Sequence, residues 1–579
     1  MESTSVPPCA RPRSMAHINL QLPHAMNATR PPTAARLSAC KATGDRAVVD
    51  RRGVLLAGLG GAAAAGLATP RHGAVAAPVQ APDLGSCQTP DVPATAADPS
   101  CCMAYRAGLR AVDFRPPPPP SSPLRVRPAA HLVDEAYVAK YERAVALMRA
   151  LPDDDPRSFA QQARVHCAYC NGAYDQVGFP DLRIIQVHNC WLFFPWHRLY
   201  TYFHERILGK LIGDDTFALP FWNWDAPGGM TLPAIYADES SPLYDERRNP
   251  AHQPPSFLDL DFSDTDPDMA RDQQIDENLK FMYRQMVSGA KKRELFLGQP
   301  YRAGDGPDPG AGTIENVPHG PLHGWVGDPR QPNGEDMGNF YSAARDPVFF
   351  ALHANIDRLW HVWSGLRRPA GNAAAGGGFT DADWLDAAFL FYDEDARLVR
   401  ARVRDCLDTA ALGYAYQDVG LPWLDAKPAK TAGTPVPTTG GTLPAKLERT
   451  VRVAVARSRV SRSKEEKEQE EEVLVVDGIM VADCSRYVKF DVFVNQCAAG
   501  DGAAAAECAG SFALTPHVAR HKGKKEKKGG TVKTAARFGI TDLLEEIGAD
   551  GDKTIVVSLV PRCAGDVVTV GGVSVTYIK

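Results

Sequence analysis

The pattern of apolar and polar positions divides this chain into a helical first part and a β-rich last part. Apolar residues recur at helical spacing in four stretches, residues 133–151, 158–169, 196–212 and 272–288. Residues 447–579 instead alternate apolar and polar positions in short β-branched runs, which charged or Gly-rich loops separate. The pattern therefore predicts a mainly α-helical bundle followed by an all-β sandwich domain.

A further helix is predicted after Asp346 and Pro347, because aspartate caps helices and proline is tolerated in a first helical turn. It carries His353 and Asp357, which are four residues apart and therefore share a face. A carboxylate in this position can orient an imidazole that binds a metal. A lone buried histidine is more often a packing residue, so the interpretation depends on the other histidines of the chain.

Five further histidines make a metal centre the stronger interpretation. His319 and His323 have the i, i+4 spacing that places both rings on one helical face, where they can bind one ion. Pro195 is predicted to open a helix that carries His197 in its first turn. The candidate ligands form two sets of three: His166, His188 and His197, and His319, His323 and His353. Ligation by imidazole alone suits zinc, or a copper pair that handles oxygen in a dry aromatic pocket, and spacing does not choose between the two metals.

Composition and charge narrow the classes of partner. The chain has 579 residues, enough for two or three domains, and a formal net charge of −5. A charge so nearly balanced argues against a nucleic-acid partner. The basic run at 520–528 is accordingly predicted to be a solvated loop.

The N-terminal residues have the composition of targeting signals. Residues 1–50 are rich in Arg, Ser and Thr and poor in acids, which is typical of an organellar transit peptide. Residues 51–76 start with Arg51 and Arg52, continue with a Gly- and Ala-rich apolar run and end in a small-residue cleavage site, as in a twin-arginine export signal. The apolar run is too short and too weakly hydrophobic for a membrane span. The sequence therefore predicts two membranes crossed in succession and no stable membrane span.

Five blocks of the sequence closely resemble the plant polyphenol oxidases, the catechol oxidase and tyrosinase family with a binuclear type-3 copper centre. The blocks are HCAYC, VHNCWLFFPWHR, IENVPHGPLH, DMGNFYSAARDP and LHANIDRLW, and they occur in the family's order within residues 77–579. The resemblance implies two copper ions, one for each histidine set, and no organic cofactor. It implies oxidation of small o-diphenols to o-quinones with O2 as acceptor, in the thylakoid lumen of the chloroplast. His204 and His361 fall outside the matching positions and are predicted to be packing residues.

The resemblance also gives roles to three residues near the coppers. Glu315 matches a glutamate that holds a water there, although its position equally suits a carboxylate at a helix N-terminus. Phe340 matches the gate phenylalanine above the second copper, whereas on its own it would be an ordinary core aromatic. Gly320 stands where relatives carry an asparagine proposed to help deprotonate phenols, so weak monophenol hydroxylation is expected.

Thirteen cysteines fit an exported protein better than one kept in a reducing compartment. The resemblance implies two disulfide bonds that would tie the Pro-rich N-terminal segment to the first copper helix, Cys87–Cys102 and Cys101–Cys167. It also implies a thioether bond between the sulfur of Cys170 and the ring of His188, which would fix a histidine that no helix positions. Cys190 is expected to be a free buried thiol.

The expected domain order follows from the composition shifts and the resemblance. The segments are a transit peptide (1–50), an export signal (51–76), a dicopper catalytic domain (77–368), a segment that closes it (369–426), a Pro/Gly/Thr-rich linker (427–446) and a C-terminal β-sandwich (447–579). The resemblance implies that the last domain covers the copper site and keeps the enzyme latent until a protease cuts the linker. The loop at 495–511 is its predicted point of closest approach to Phe340.

Three alternatives stay open on the sequence. A hemocyanin-like oxygen carrier would use the same six histidines with substrate access blocked. A tyrosinase with substantial monophenolase activity would share the whole architecture. A di-zinc hydrolase usually has a bridging carboxylate, which these motifs lack.

Overall fold

The computed structural model describes residues 77–579, apart from 97, 118–122, 180–183, 267, 368–378, 430–440, 496–501, 503 and 518–530. The predicted transit peptide and export signal therefore lie outside the described residues. So do the basic run at 520–528, most of the linker and the start of the segment that closes the catalytic domain.

Each helical stretch in the sequence pattern overlaps a helix of the structure. The helices of the described residues are α1 (Glu135–Arg149), α2 (Phe159–Cys170), α3 (Phe193–Ile212), α4 (Arg271–Tyr283), α5 (Arg293–Phe296), α6 (Gly320–Val326), α7 (Val348–Leu366), α8 (Ala382–Asp386), α9 (Lys464–Gln469) and α10 (Thr541–Glu546). Aspartate side chains accept hydrogen bonds at the start of two of them. The Asp134 carboxylate accepts from the Tyr137 amide at the start of α1, and the Asp346 carboxylate accepts from the Val348 amide at the start of α7.

Helix α3 begins earlier than the sequence indicates. It starts at Phe193, so Pro195 is its third residue and His197 lies in the second turn rather than the first. The first amides of a helix have no acceptor within the helix, so proline is tolerated throughout the first turn and does not mark its first residue.

Helices α3 and α7 pack against each other at the centre of the catalytic part, and α1 packs on α3. Every residue of α3 from Phe193 to Glu205 is buried, and so is every residue of α7 from Val348 to Trp360. A helix buried on all sides can direct polar side chains only into an internal site. The two helices therefore form the floor of that site.

Short strands close the catalytic part, and the sequence pattern did not predict them. They are β1 (Val112–Asp113), β2 (Arg125–Arg127), β3 (Ala388–Tyr392), β4 (Leu398–Arg402) and β5 (Tyr414–Tyr416). Strands β1, β4 and β3 form one sheet, and β2 pairs with β5 in parallel. Strands of two to five residues carry too little periodicity to be recognised before their partners are known.

The C-terminal part contains two antiparallel sheets. Its strands are β6 (Ala445–Lys446), β7 (Val451–Ala456), β8 (Glu471–Val481), β9 (Val488–Val494), β10 (Cys508–Leu514), β11 (Val532–Gly539), β12 (Thr554–Cys563), β13 (Val568–Val570) and β14 (Gly572–Ile578). One sheet has the order β10-β9-β12-β7, and the other has β11-β8-β13-β6 with β14 also paired to β8. Val492 and Val557 of the first sheet and Leu474 and Val476 of the second belong to one buried cluster.

Strand β10 includes the last four residues, 508–511, of the loop predicted at 495–511. Residues from Cys508 onward pair with β9, with Phe512 opposite Phe490. Ala, Gly and Ser dominate this strand and have low intrinsic β-propensity, so its pairing partner rather than its composition determines its structure. Within the described residues, no helix is long and apolar enough to cross a membrane.

Candidate metal centre

The structure brings the six predicted histidines together in one buried place. His166 lies on α2, His197 on α3, His323 on α6 and His353 on α7, while His319 ends the helical turn before α6 and His188 lies on a connecting segment. Adjacent ring centroids are 5.3 Å apart for His166 and His188, 5.0 Å for His188 and His197, 4.6 Å for His319 and His323, 5.1 Å for His319 and His353, and 4.1 Å for His197 and His353. All six rings are at most 2% exposed.

Backbone carbonyls fix two rings of the first set. Nδ1 of His166 donates to the Phe340 carbonyl at 2.9 Å, and Nδ1 of His197 donates to the Phe193 carbonyl at 2.8 Å. A carbonyl can only accept, so the proton is on Nδ1 and the lone pair is on Nε2. Both Nε2 atoms are buried and have no hydrogen-bond partner, and neither ring nitrogen of His188 has one. Unpaired buried acceptors of this kind are expected where a metal binds.

The second set gives stronger evidence for a cation. Nδ1 of His319 donates to the Glu315 carbonyl at 3.1 Å, and Nδ1 of His323 donates to the Met337 carbonyl at 2.8 Å. Their Nε2 atoms, both lone-pair bearing, face each other at 3.1 Å. Two nitrogens bonded about 2.0 Å from one ion lie roughly 3 Å apart, so a shared metal accounts for this contact. Both ring nitrogens of His353 are buried nearby without a partner.

Burial keeps these rings neutral. Desolvation lowers the pKa of His166 to about 3 and that of His323 to about 4, and it lowers the pKa of the other four well below the ordinary value. The positive charge that the neighbouring imidazoles would carry lowers several of these pKa values further. Neutral imidazole is the form that binds a metal. The donor set therefore fits copper or zinc, the metals that accept ligation by imidazole alone.

The segment before α6 places Glu315 beside the histidines. Residues Glu315–His319 form a π-helical turn that is interrupted at Val317, whose φ of −146° and ψ of 124° are extended. Pro318 explains the interruption, because a residue before proline avoids the helical region. Glu315 accepts from the Asn189 amide through Oε1, while its Oε2 is buried without a partner. Burial raises the pKa of Glu315 well above its ordinary value, whereas metal cations nearby would favour the carboxylate.

Asp357 does not orient His353, so that interpretation of the four-residue spacing is wrong. Its carboxylate accepts from Arg127 at 3.1 Å, from the Tyr414 hydroxyl at 2.5 Å, and from Arg198 and Tyr416. Although burial acts to raise it, Arg198 and Arg127 hold the pKa of Asp357 below its ordinary value. Opposite charge attracted this carboxylate more strongly than a neutral ring, and the resulting ion pair ties α7 to α3.

The two other histidines near the site take no part in it. The His204 ring stacks on the Phe350 ring with centroids 3.5 Å apart. His361 is exposed at the far end of α7 and lies 3.4 Å from the Thr409 hydroxyl. Neither ring approaches the six candidate ligands as closely as those approach one another.

Phe340 packs on the first histidine set, not the second. Its ring lies parallel to that of His188 with centroids 4.4 Å apart, and its centroid is 6.4 Å from that of His166. The hydrogen bond from His166 to the Phe340 carbonyl anchors the residue there. The expectation of a gate above the second copper is corrected accordingly.

The C-terminal part reaches this place through residues 515–517, which the sequence did not single out. The His517 ring stacks on the Phe340 ring with centroids 5.3 Å apart and planes at 18°. The Phe340 amide donates to the Pro516 carbonyl at 3.4 Å. A Cβ at Gly320 would lie 3.5 Å from the Thr515 hydroxyl oxygen. Residues 516 and 517, which β10 brings to the site, therefore contact Phe340, while 496–501 and 503 of the predicted loop lie outside the described residues.

A buried ion pair also joins the catalytic part to the C-terminal part. The Lys489 side chain is fully buried and its Nζ lies 2.9 Å from the Asp261 carboxylate and 3.2 Å from that of Asp491. Asn316, three residues before His319, accepts from the Ala513 amide at 2.9 Å. An unpaired buried charge is costly, so separating the two parts requires that Lys489 and Asp261 become solvated together.

Near the first histidine set, four cysteines form disulfide bonds and two are buried free thiols. Disulfide bonds join Cys87 to Cys102 and Cys101 to Cys167, the two pairs that the resemblance implies. Cys170 and Cys190 are buried thiols, and burial raises the pKa of each well above its ordinary value. The sulfur of Cys170 and the ligating nitrogens of His166 and His188 lie within 4.8 Å of one another.

Three family models match successive parts of the chain. The common central domain of tyrosinase matches residues 156–366, the polyphenol oxidase middle domain matches 378–429, and the chloroplastic polyphenol oxidase C-terminal domain matches 443–577. The six histidines all lie within the first of these.

Curated relatives and a solved structure agree with the family models. The chain is 50% identical over 572 residues to "Polyphenol oxidase, chloroplastic" of Malus domestica, covering 94% of this chain and 93% of the relative. It is 48% identical over 557 residues to the protein of the same name from Vitis vinifera, covering 92% and 88%. The structure of latent apple tyrosinase superposes with a TM-score of 0.75 at 52% identity, covering 81% of this chain and all of that one. The chain belongs to the plant polyphenol oxidases, type-3 copper enzymes that oxidise o-diphenols to o-quinones with O2.

Proposed function

We propose that the reaction takes place at two copper ions, one bound by His166, His188 and His197 and the other by His319, His323 and His353. The observation that carries this proposal is the 3.1 Å approach of two lone-pair-bearing nitrogens, Nε2 of His319 and Nε2 of His323. Copper bound by these imidazoles supplies the redox chemistry, in which two catechols lose four electrons and four protons in total and one O2 accepts them to give two waters.

The chain's own residues would keep water out and handle the phenolic proton. The Phe193 ring lies 4.6 Å from that of His197 and 4.8 Å from that of His319, which makes the space between the sets apolar. Such a wall limits the loss of reactive oxygen species to solvent. The unpartnered Oε2 of Glu315 is the acceptor available for a phenolic proton or an ordered water.

Gly320 and Phe340 would set the substrate range. Gly320 offers no side-chain acceptor to help Glu315 deprotonate a monophenol, so we propose that diphenol oxidation dominates and that monophenol hydroxylation is weak. Phe340 would act as a gate beside His188, with its ring turning aside when a phenol enters. A tyrosinase with substantial monophenolase activity is the alternative that this assignment opposes.

We also propose a thioether bond between Cys170 and His188. Its formation would break the S–H bond of Cys170 and one ring C–H bond of His188 and form the C–S bond, while O2 would accept the two electrons and two protons to give H2O2. The Cys170 sulfur and a ring nitrogen of His188, which lie within 4.8 Å of each other, support it. Two disulfide bonds, Cys87–Cys102 and Cys101–Cys167, would hold the N-terminal segment on α2 in the mature protein.

The C-terminal part would be a β-sandwich that keeps the enzyme latent. Two antiparallel sheets with apolar residues in one shared cluster support the sandwich. The stacking of His517 on Phe340 supports the cover. A protease that cuts within 427–446 would release it, because that Pro/Gly/Thr-rich linker joins the parts.

The domain boundaries and the location follow from the same comparison. We propose a transit peptide at 1–50, an export signal at 51–76, a catalytic domain at 77–368 closed by 369–426, and a shielding domain at 447–579. Relatives named chloroplastic support a chloroplast protein. The twin arginines at Arg51 and Arg52 support export from there to the thylakoid lumen.

Metal analysis with oxygen uptake on catechol tests the proposal. We expect two coppers per chain, no zinc, and one O2 consumed for every two catechols oxidised by the linker-cleaved enzyme. Copper with reversible O2 binding but no turnover would indicate an oxygen carrier. Two zinc ions and no copper would indicate a hydrolase.

A further inference from the structure

A cavity lined by three arginines lies behind the chain segment that carries Phe340. Its volume is about 310 Å³, at the small end of the range for ligand pockets. Three arginines, two aromatic rings and one carboxylate line it, together with small residues of α2 and Ser100: Arg149, Arg164, Arg345, Phe159, Tyr341, Asp98, Ala160, Ala163 and Cys167. None of the six histidines lines it, so it is distinct from the metal centre.

The positive charge of this cavity is poorly compensated among the described residues. Asp98 supplies the one carboxylate within 4 Å of any of the three guanidinium groups, at 3.7 Å from Arg164, and its side chain is 49% exposed. Nε of Arg164 is buried and has no hydrogen-bond partner. Arg345 donates to the Asp98 backbone carbonyl at 2.7 Å rather than to a carboxylate. Guanidinium groups that face one cavity with a single carboxylate nearby are donors that suit an oxyanion.

Two of the carboxylates somewhat farther away have cationic partners of their own, while a third, Asp245, acts on the charge of Arg149. Asp346 pairs with Arg248 at 2.7 Å, and Asp336 lies 3.4 Å from Arg247. Arg149 donates only to the Pro242 carbonyl, at 3.3 Å. Desolvation lowers the pKa of Arg149, although the Asp245 and Asp346 carboxylates act to raise it.

Aromatic rings give the cavity an apolar wall beside these charges. Cζ of Arg149 lies 4.0 Å from the Phe159 ring centroid, and Cζ of Arg345 lies 5.1 Å from the Tyr341 ring centroid. An anion that pairs with the guanidinium groups would therefore place any attached apolar body against these rings and Ala163. Inorganic phosphate or sulfate would leave that wall unused.

We propose that this cavity binds a small amphipathic oxyanion, an apolar or aromatic body that carries a carboxylate, sulfonate or phosphate group. The guanidinium groups of Arg149, Arg164 and Arg345 bind the charged end, and Phe159 and Tyr341 contact the body. The occupant touches Tyr341, which follows Phe340 in the chain, and α2, which carries His166. Nδ1 of His166 donates to the Phe340 carbonyl at 2.9 Å. A ligand in this cavity therefore lies beside residues of the metal centre without entering that centre.

Isothermal titration of the copper-loaded full chain with naphthalene-1-sulfonate tests the proposal. Loss of one charge-assisted hydrogen bond typically weakens binding about tenfold or more, so Arg164→Met and, independently, Arg345→Met are each expected to raise Kd by that factor. Arg143→Met is the matched control, since Arg143 lies on α1 like Arg149 but is exposed and does not line the cavity. It is expected to leave Kd unchanged.

Two comparison ligands test anion recognition and recognition of the apolar body separately. Uncharged naphthalene-1-methanol is expected to bind at least tenfold more weakly, and inorganic sulfate is expected to compete only at much higher concentration. Absence of binding by the wild-type chain, or equal Kd values for wild type, Arg164→Met and Arg345→Met, overturns the site. Equal binding of the alcohol overturns anion recognition, and equal binding of inorganic sulfate overturns recognition of the apolar body.

Discussion

The imidazole ring of His353 lies parallel to that of His197, with centroids 4.1 Å apart and planes at 6°. The first ring comes from α7 and the second from α3, and each belongs to a different proposed copper set. The ion pair between Asp357 and Arg198 joins the same two helices one turn from His353 and one residue from His197. The packing of these two helices therefore sets the separation between the two proposed copper sites.

Replacement of His353 by alanine is expected to remove the second copper and abolish catechol oxidation. Each proposed copper has three protein ligands, and the loss of one leaves the ion weakly held. His361→Ala is the matched control, because His361 lies on the same helix but is exposed. Copper content by atomic absorption and oxygen uptake on catechol measure both variants. A His353→Ala protein with two coppers and normal turnover would contradict the assignment.

The Cys170–His188 thioether is expected in copper-loaded protein. Peptide mapping should find the two peptides joined and lighter by about two hydrogens than their sum, since a thiol and a ring hydrogen are lost. Cys190 serves as the internal control, because it should be alkylated after unfolding while Cys170 should not. Full alkylation of Cys170 after unfolding would exclude the bond.

Sequence periodicity identified α2 and α3 of this site because they are long enough to show helical spacing. The histidine spacing was equally informative, since His319 and His323 at i, i+4 lie 3.1 Å apart at Nε2 despite the break at Val317. Asp357 shows the limit of such reasoning. Spacing shows which residues share a helical face, but not that Arg127 and Arg198, distant in sequence, would take its carboxylate.

The contact between the catalytic part and the C-terminal part could not be predicted from the sequence pattern. His517 belongs to no motif, and it meets Phe340 only because β10 pairs with β9 and delivers residues 515–517 to the site. The Ala- and Gly-rich sequence of β10 is typical of a loop. Its strand structure depends on long-range pairing, which local composition does not encode.

Gly320→Asn is expected to raise tyramine turnover relative to dopamine turnover. The new amide would add an acceptor near Glu315 to help deprotonate a monophenol. A Cβ at this position meets Ala513 and Thr515 at 3.5 Å, an ordinary contact, and both neighbours belong to the C-terminal part. The comparison is therefore made after linker cleavage, with Gly320→Ala as the control for steric effects. An unchanged ratio in Gly320→Asn, or an equal rise in Gly320→Ala, would contradict the role.

Glu471→Gln is expected to stabilise the protein at pH 8 but not near pH 4.5. Burial raises the pKa of Glu471 to about 7, against 4.5 in an unfolded chain, although Lys291 acts in the opposite direction. The folded state thus keeps this proton while the unfolded state loses it, so stability falls as the pH rises from 4.5 to 7. The full cost above pH 7 is roughly 3 kcal/mol.

Thermal melts at pH 4.5 and pH 8 measure this effect as the difference in Tm between variant and wild type. The glutamine cannot ionise, so it should melt at a higher temperature than wild type at pH 8 only. Glu468→Gln is the control, because Glu468 is exposed on α9 and its replacement should change neither value. A difference that is the same at both pH values would show that ionisation of Glu471 is not its source.

Cleavage within 427–446 is expected to raise kcat/KM on catechol at unchanged copper content. The C-terminal part is held over the site by the stacking of His517 on Phe340 and by the buried contact of Lys489 with Asp261. A cover favoured by only about 3 kcal/mol leaves less than one molecule in a hundred open, so cleavage and dissociation should increase kcat/KM by about a hundredfold.

A second variant tests how much the His517–Phe340 contact alone contributes to covering the site. His517→Ala in the uncut chain should raise kcat/KM modestly, because one ring leaves the Phe340 contact while the rest of the interface stays. After cleavage the same substitution should have no effect, since a covering residue acts only while it is in place. Copper content is measured in every sample, because a C-terminal part that instead assists copper loading would lower metal content when removed. No rise in kcat/KM on cleavage at equal copper content would therefore rule out the cover.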